Sequence, residues 1–251
     1  KTNLDMTEFE KKLGRKINTL TVDKDMFTKS FPDCYKAACG PLSTHSFVSQ
    51  AIMSRYVKDR NIKVLIGGDG ADELFGGYEF YKKFDTKLKV FPKTNPSAYS
   101  GFVPLEVEFE NWNTKNLQRK IKDNWLDHSE YYAFENDPYE RMIQTVIYSD
   151  TVIQLESVGI RAADTMSMVN SVESRSFFLS YDMIEFALNL PAKHKIDLST
   201  MNPLMSTKPL LKRLYKTKFG EELLFKKQGF SGYPNEVAEM LLKGQTPLIY
   251  E

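Results

Sequence analysis

Three carboxylates crowd one glycine turn. Asp69, Asp72 and Glu73 follow Gly67 and Gly68 and flank Gly70. Glycines allow sharp turning and let a ligand approach the backbone closely. Carboxylates at the start of a helix are ordinary stabilisers of its free N–H groups. Beside a glycine turn they also suit a hard cation. If a nucleotide sits at the turn, bare carboxylates repel its phosphates, and a Mg²⁺ ion held by one or two carboxylates plus phosphate oxygens removes the conflict. The run lacks the ligand spacing of an EF-hand, and Glu73 occupies the place where a dinucleotide fingerprint needs its third glycine.

Such a turn needs a strand before it and a helix after it. Ile62 to Ile66 is a short, β-branched apolar run and predicts a buried strand. Upstream, residues 5–13 predict a helix with Met6, Phe9 and Leu13 on one face and Gly14 as its stop. Ile17 to Val22 alternates as a strand would. Phe27 to Cys39 is weakly helical around Pro32, Gly40 to Ser46 is a polar turn, and Phe47 to Arg60 predicts a helix feeding the Ile62 strand. This order predicts an α/β domain with a parallel sheet and helical crossovers.

The expected division is an α/β nucleotide-binding portion over 1–84, an irregular insertion over 85–137 broken by Pro92, Pro96 and Pro104, and a helical portion over 138–251. In the last, Met142, Val146, Ile153, Leu155, Ile160, Met166 and Met168 are expected core residues, and Tyr181 to Leu190 a helix stopped by Pro191.

Composition narrows the function. The chain has 251 residues, 41% of them hydrophobic and 27% charged, with a formal net charge of +1. That balance provides no field to recruit nucleic acid or a membrane surface. No apolar run reaches the roughly 18 residues of a membrane helix, and no secretory signal is present. Cys34 and Cys39 match neither a zinc set nor a disulfide framework. They read as free thiols, which places the protein in the cytoplasm.

Three segments carry a family resemblance. Gly67-Gly68-Asp69-Gly70-Ala71-Asp72-Glu73-Leu74-Phe75-Gly76-Gly77-Tyr78 resembles the Ser-Gly-Glu/Asp-Gly-x-Asp-Glu-Leu-Phe-Gly-Gly-Tyr signature of glutamine-hydrolysing asparagine synthetases. Asp164 to Ser180 resembles their Asp-Arg-x-Ser-Met-Ala-x-Ser-x-Glu-x-Arg-x-Pro-Phe-Leu-Asp block, with Phe177 and Ser180 replacing the usual proline and terminal aspartate. Lys208 to Leu214 and Lys226-Lys227-Gln228-Gly229-Phe230 resemble their Lys-x-x-Leu-Arg helix and later Lys-x-Gly-Phe turn. Read from the residues alone, the basic helix is a solvated face.

The resemblance implies an ATP-pyrophosphatase-type parallel sheet with a mostly helical C-terminal half. It implies an ATP- and Mg²⁺-dependent ligase that adenylates the aspartate side chain and transfers ammonia from glutamine. On that basis Asp69 and Lys227 are the expected catalytic residues. Gly67, Gly68 and Gly70 touch the nucleotide, and Asp72 and Glu73 organise Mg²⁺-pyrophosphate. Ser43, Thr44, His45, Glu173 and Arg175 are candidates for the substrate pocket, although Glu173 and Arg175 could equally form a buried scaffold pair. The family's Ser-Gly-Gly-x-Asp-Ser loop and its glutaminase domain are not found in the 251 residues. The expectation is a fragment of a longer enzyme with a glutaminase domain upstream, acting on small molecules rather than nucleic acid or membranes, and compatible with a homodimer. The alternatives are amidation of another carboxylate, such as a sugar acid or a lactam precursor, and a non-catalytic binding module.

Overall fold

The computed structural model describes residues 6–39, 42, 44, 46–83, 89–92, 123–200 and 202–220. They form a mostly helical α/β structure with one small parallel sheet. The chain divides into two compact units, one built from 6–67 and 157–176, the other from 68–156 and 177–220, among the described residues.

In the first unit, α1 (Thr7–Leu13) stops as its sequence predicts, with Gly14 left-handed at φ 62° and its N–H on the Glu10 carbonyl. Helix α2 (Lys24–Ala37) is capped by Asp23, whose carboxylate accepts from the Met26 N–H at 2.8 Å. Its Phe27, Phe31 and Cys34 stand at i, i+4 and i+7, so they share one face. That face packs with Phe47, Val48, Ala51 and Ile52 of α3 (Ser46–Lys58) and with Ala162 and Met166 of α7 (Arg161–Met168). Two buried polar side chains are satisfied inside this core. The Ser54 hydroxyl donates to the Met166 carbonyl at 2.9 Å, and the Asn170 amide donates to the Ala51 carbonyl at 2.9 Å and to Ser54 Oγ at 2.7 Å.

The sheet of this unit pairs β1 (Val64–Gly67) with β2 (Glu173–Ser176) in parallel, Val64 opposite Glu173 and Gly67 opposite Ser176. Three expectations are corrected here. Ile17 to Val22 forms no strand; Leu20 and Val22 instead pack irregularly against the helical core. The Ile62 strand is not buried: β1 has one neighbour among the described residues, and Ile66 on its open face is 79% exposed. Met168, expected in the core, is also exposed, because it ends the last turn of α7.

In the second unit, α4 (Ala71–Phe75) follows the glycine turn as expected but runs for only five residues. Residues 123–130 form α5, and Asp137 caps α6 (Pro138–Ser149) by accepting from the Tyr139 N–H at 2.9 Å. One core gathers Tyr81, Trp125, Met142, Ile143, Val146, Ile147, Ala192 and Ile196. A second places Leu74 and Phe75 of α4 against Ala187 of α8 (Tyr181–Asn189), which ends before Pro191 as its sequence predicts. Short α9 (Pro203–Ser206) precedes α10 (Pro209–Phe219).

After α6 the chain continues as a π-helix, Asp150–Ile160. Within it Leu155 is buried as expected, whereas Ile153 and Ile160 are exposed, because the wider turn abandons the 3.6-residue period on which they were placed. Among the described residues no helix is long and apolar enough to cross a membrane.

Candidate active site

The glycine motif serves two purposes, and the structure separates them. Gly68 faces open space: a side-chain carbon added there meets nothing within 4 Å. Gly70 is buried against Leu179. Gly77 is a packing position. A Cβ at Gly77 would lie 1.7 Å from Asp72 Oδ1, so the glycine leaves the space that the Asp72 carboxylate fills. Gly77→Ala is therefore expected to displace that carboxylate and to lower stability by about 1–3 kcal/mol, read from the urea midpoint.

The three motif carboxylates have different fates. Asp72 is part-exposed and pairs with Lys208, Nζ to Oδ1 at 2.8 Å. Glu73, one residue on, is buried and accepts a hydrogen bond from the Tyr78 hydroxyl. Successive residues on a helical turn point about 100° apart, so one carboxylate faces out and the next faces in. Asp69 is half-buried, and desolvation raises its pKa against the opposing effect of a backbone hydrogen bond.

Beneath this corner lies a fourth carboxylate, Asp150. Tyr81 is fully buried and its hydroxyl donates to Asp150 Oδ2 at 2.6 Å. Burial pushes the Asp150 pKa up to about 7, against the lowering effect of the Tyr81 hydrogen bond, and the Glu73 charge adds to the rise. Tyr78 and Tyr81 meet edge to face, 5.8 Å between ring centroids, so the two tyrosine–carboxylate pairs are side by side.

The positive side of the corner comes from α10. Lys208 sits at its N-cap in a left-handed conformation, φ 49°, and Lys212 one turn on donates to Thr207 Oγ1 at 3.0 Å. Burial, then the charges of Lys208 and Lys82, lower the Lys212 pKa to about 8, offset in part by Asp72 and Glu79. Lys208, Lys212 and Lys82 thus share the surroundings of Asp72. Composition alone makes the basic helix a solvated face, and nothing local to Lys208 signals a partner 136 residues earlier.

Other expected site residues belong to the first unit or lie outside the described residues. Gly67 belongs to the first unit, opposite Ser176 in the sheet. Glu173 and Arg175 also lie there and bond one another, Nε to Oε1 at 2.8 Å and Nη2 to Oε2 at 3.0 Å. The pair is exposed rather than buried, because alternate residues of β2 point to its open face. Thr44 shares a short hydroxyl contact with Ser46. Ser43, His45 and Lys227 lie outside the described residues.

No group of three or more His, Cys, Asp and Glu side chains is gathered for a metal among the described residues. A Mg²⁺ ion at such a turn would be completed by phosphate oxygens rather than by an all-protein cage. The donor set fits it through Asp72, a carboxylate that already holds a cation, the Lys208 ammonium. It fits less well through Glu73, which is turned inward on Tyr78.

The asparagine synthase family profile matches residues 6–245. The chain belongs to the asparagine synthase family. Among curated relatives, it is 25% identical over 233 residues to the glutamine-hydrolysing asparagine synthetase 1 of Bacillus subtilis strain 168, covering 80% of this chain and 35% of that one. It is 28% identical over 178 residues to asparagine synthetase 2 of the same organism, covering 66% and 21%. A putative asparagine synthetase of Mycobacterium bovis is 24% identical over 221 residues, covering 75% and 33%. The chain thus spans at most about a third of these relatives' length. No solved structure matches it. In this member of the family the Asp72–Lys208 pair joins two of the three segments that carry the resemblance, the glycine motif and the basic helix.

Proposed function

We propose that this chain is the synthetase portion of an ATP-dependent, glutamine-hydrolysing amide ligase with an ATP-pyrophosphatase-type fold, working in the cytoplasm. The observation that carries the reading is the Asp72–Lys208 pair at the glycine turn, an outward carboxylate and an ammonium where a metal-bound polyphosphate needs both signs of charge. In the proposed reaction a substrate carboxylate oxygen attacks the α-phosphorus of ATP and pyrophosphate leaves. Ammonia from a glutaminase domain then attacks the acyl carbon, loses a proton, and AMP leaves with the bonding electron pair.

Gly68 admits the nucleotide to the backbone, and Gly67 and Gly70 flank that approach. Asp69 stands at the intermediate-forming position. Asp72 would hold Mg²⁺, which would neutralise phosphate charge, whereas Glu73 is turned inward onto the Tyr78 hydroxyl. Lys208, Lys212 and Lys227 receive the phosphates. Aspartate is the first candidate acceptor, giving asparagine. Thr44 and its neighbours Ser43 and His45 are the proposed acceptor contacts, whereas the exposed Glu173–Arg175 pair is assigned no direct contact.

The test is amide formation by the full-length protein with ATP·Mg²⁺ and glutamine, comparing aspartate with uronic acids and carboxyl peptides. Asparagine with stoichiometric AMP and pyrophosphate is the expected product. Product from another acid alone would replace aspartate as acceptor. No calorimetric heat with ATP·Mg²⁺ at millimolar concentration would overturn the ligase reading.

A further inference from the structure

Lys195 is fully buried, an unusual place for an ammonium-bearing side chain. Its Nζ donates to Gln144 Oε1 of α6 at 2.7 Å. The Gln144 amide nitrogen in turn donates to the Leu190 carbonyl at 2.8 Å and to Glu140 Oε1 at 3.0 Å, and the same Glu140 oxygen accepts the Ala192 N–H at 2.5 Å. The segment entering Lys195 is therefore fastened to α6 at several points. Burial lowers the Lys195 pKa to about 7, with nearby Glu140 opposing the shift.

The backbone of Lys195 is where this anchorage reaches the active-site corner. Its carbonyl accepts the Lys208 N–H at 3.1 Å, holding the left-handed N-cap from which Lys208 reaches Asp72. The same carbonyl lies under the turn that ends α4. A Cβ at Gly76, which has φ 69°, would come 2.7 Å from Lys195 O and 2.8 Å from Ile196 Cγ1. The next residue, Gly77, donates its N–H to the Asp72 carbonyl at 2.8 Å. A closed ring results: Asp72 to the Gly76–Gly77 turn, the turn to the Lys195 carbonyl, the carbonyl to Lys208, and Lys208 back to Asp72.

We propose that Lys195 is a positioning residue: held on Gln144, it fixes the carbonyl that seats the Gly76 turn and caps Lys208, and so sets the Asp72–Lys208 pair. A buried apolar side chain would fill the same space at lower desolvation cost, but it would not tie this backbone to a directional partner on α6. The placement stands whatever Asp72 binds; its consequence for catalysis rests on the proposed function.

The pair's coupling is measured by a double-mutant cycle on Asp72→Asn and Lys208→Met in urea unfolding of the full chain, repeated with Lys195→Met. A part-exposed pair of this kind is worth about threefold in the unfolding constant. That coupling is expected to fall to onefold when Lys195 is Met. A merely structural lysine lowers stability and leaves the threefold coupling intact, which would overturn the proposal. Lys195→Gln, with a donor on a shorter stem, goes through the same cycle if the Met variant does not fold. Native-state hydrogen exchange on the unaltered chain gives a reading free of any variant. The Lys208 amide is expected to open together with the Lys195 amide, which is bonded to the Ala192 carbonyl at 2.8 Å. A Lys208 amide that exchanges as though unbonded would overturn the proposal.

Discussion

Asp72→Asn in the full-length protein is expected to slow ATP–pyrophosphate exchange by about a hundredfold or more while leaving the fold in place. The substitution keeps shape and volume and removes one charge. Its structural cost is small, because the Lys208 and Asp72 side chains are 22% and 29% exposed and a pair so placed contributes about 1 kcal/mol or less. Its chemical cost is large. An amide oxygen is a poor ligand for a hard cation, and the repulsion between phosphate and substrate carboxylate is then less well screened. Lys208→Met separates the two jobs of the pair. If Lys208 only holds Asp72 in place, exchange falls less than tenfold; if it also receives phosphate, the loss approaches that of Asp72→Asn. Exchange at the parental rate in Asp72→Asn, with an unchanged urea midpoint, would remove Asp72 from the site. Asp69→Ala and Lys227→Ala, read by the same assay, test the two residues assigned to the reacting carboxylate and the phosphates.

The glycine motif was legible because its chemistry is local. A β-branched run, a turn and a short helix follow from residue types within a dozen positions, and β1 and α4 form where those residues predict. What the motif does internally was not legible. Asp72 and Glu73 are adjacent acids, and which one faces outward is decided by Tyr78 on one and by the space over Gly77 on the other. Gly76 and Gly77 are packing positions against Lys195 and Asp72, a role that residue type alone does not reveal.

Long-range pairings left still less trace. Lys208 meets Asp72, Tyr81 meets Asp150, and Lys195 meets Gln144, each across dozens of residues. No periodicity marks such partners. A buried Lys195 inside Ala192-Lys193-His194-Lys195 has the composition of a surface turn. Ile17 to Val22 failed for the converse reason. Alternation describes a strand's surface, but a strand also needs a neighbour to bond, and this segment has none among the described residues. The exposed Glu173–Arg175 pair likewise follows from its strand's open face, which the motif resemblance did not contain.

The buried carboxylate beneath the corner gives the second large effect. Asp150→Asn is expected to raise stability by about 4 kcal/mol at pH 8 and to leave it nearly unchanged near pH 3.5. Asp150 is held at a pKa of about 7 in the folded chain, against 3.8 for the ordinary group, chiefly because burial disfavours its charge. Between those two values the folded chain binds more protons than the unfolded one, so stability falls as pH rises through that window. Below it the side chain is neutral in both states and costs nothing; above it the full penalty applies. Asparagine carries no charge at any pH and still accepts from the Tyr81 hydroxyl, so the variant escapes the fall. Ordinary carboxylates and histidines ionise across the same range, so the quantity to measure is the difference between parent and variant urea stabilities from pH 3.5 to 8, in which their shared contributions largely cancel. A difference that grows with pH and levels off near pH 8 identifies Asp150 as a buried acid kept protonated by its surroundings. A flat difference would mean that the Tyr81 hydroxyl and local relaxation stabilise the charged form well enough to offset burial, and that the layer beneath Asp72 carries a full negative charge at neutral pH.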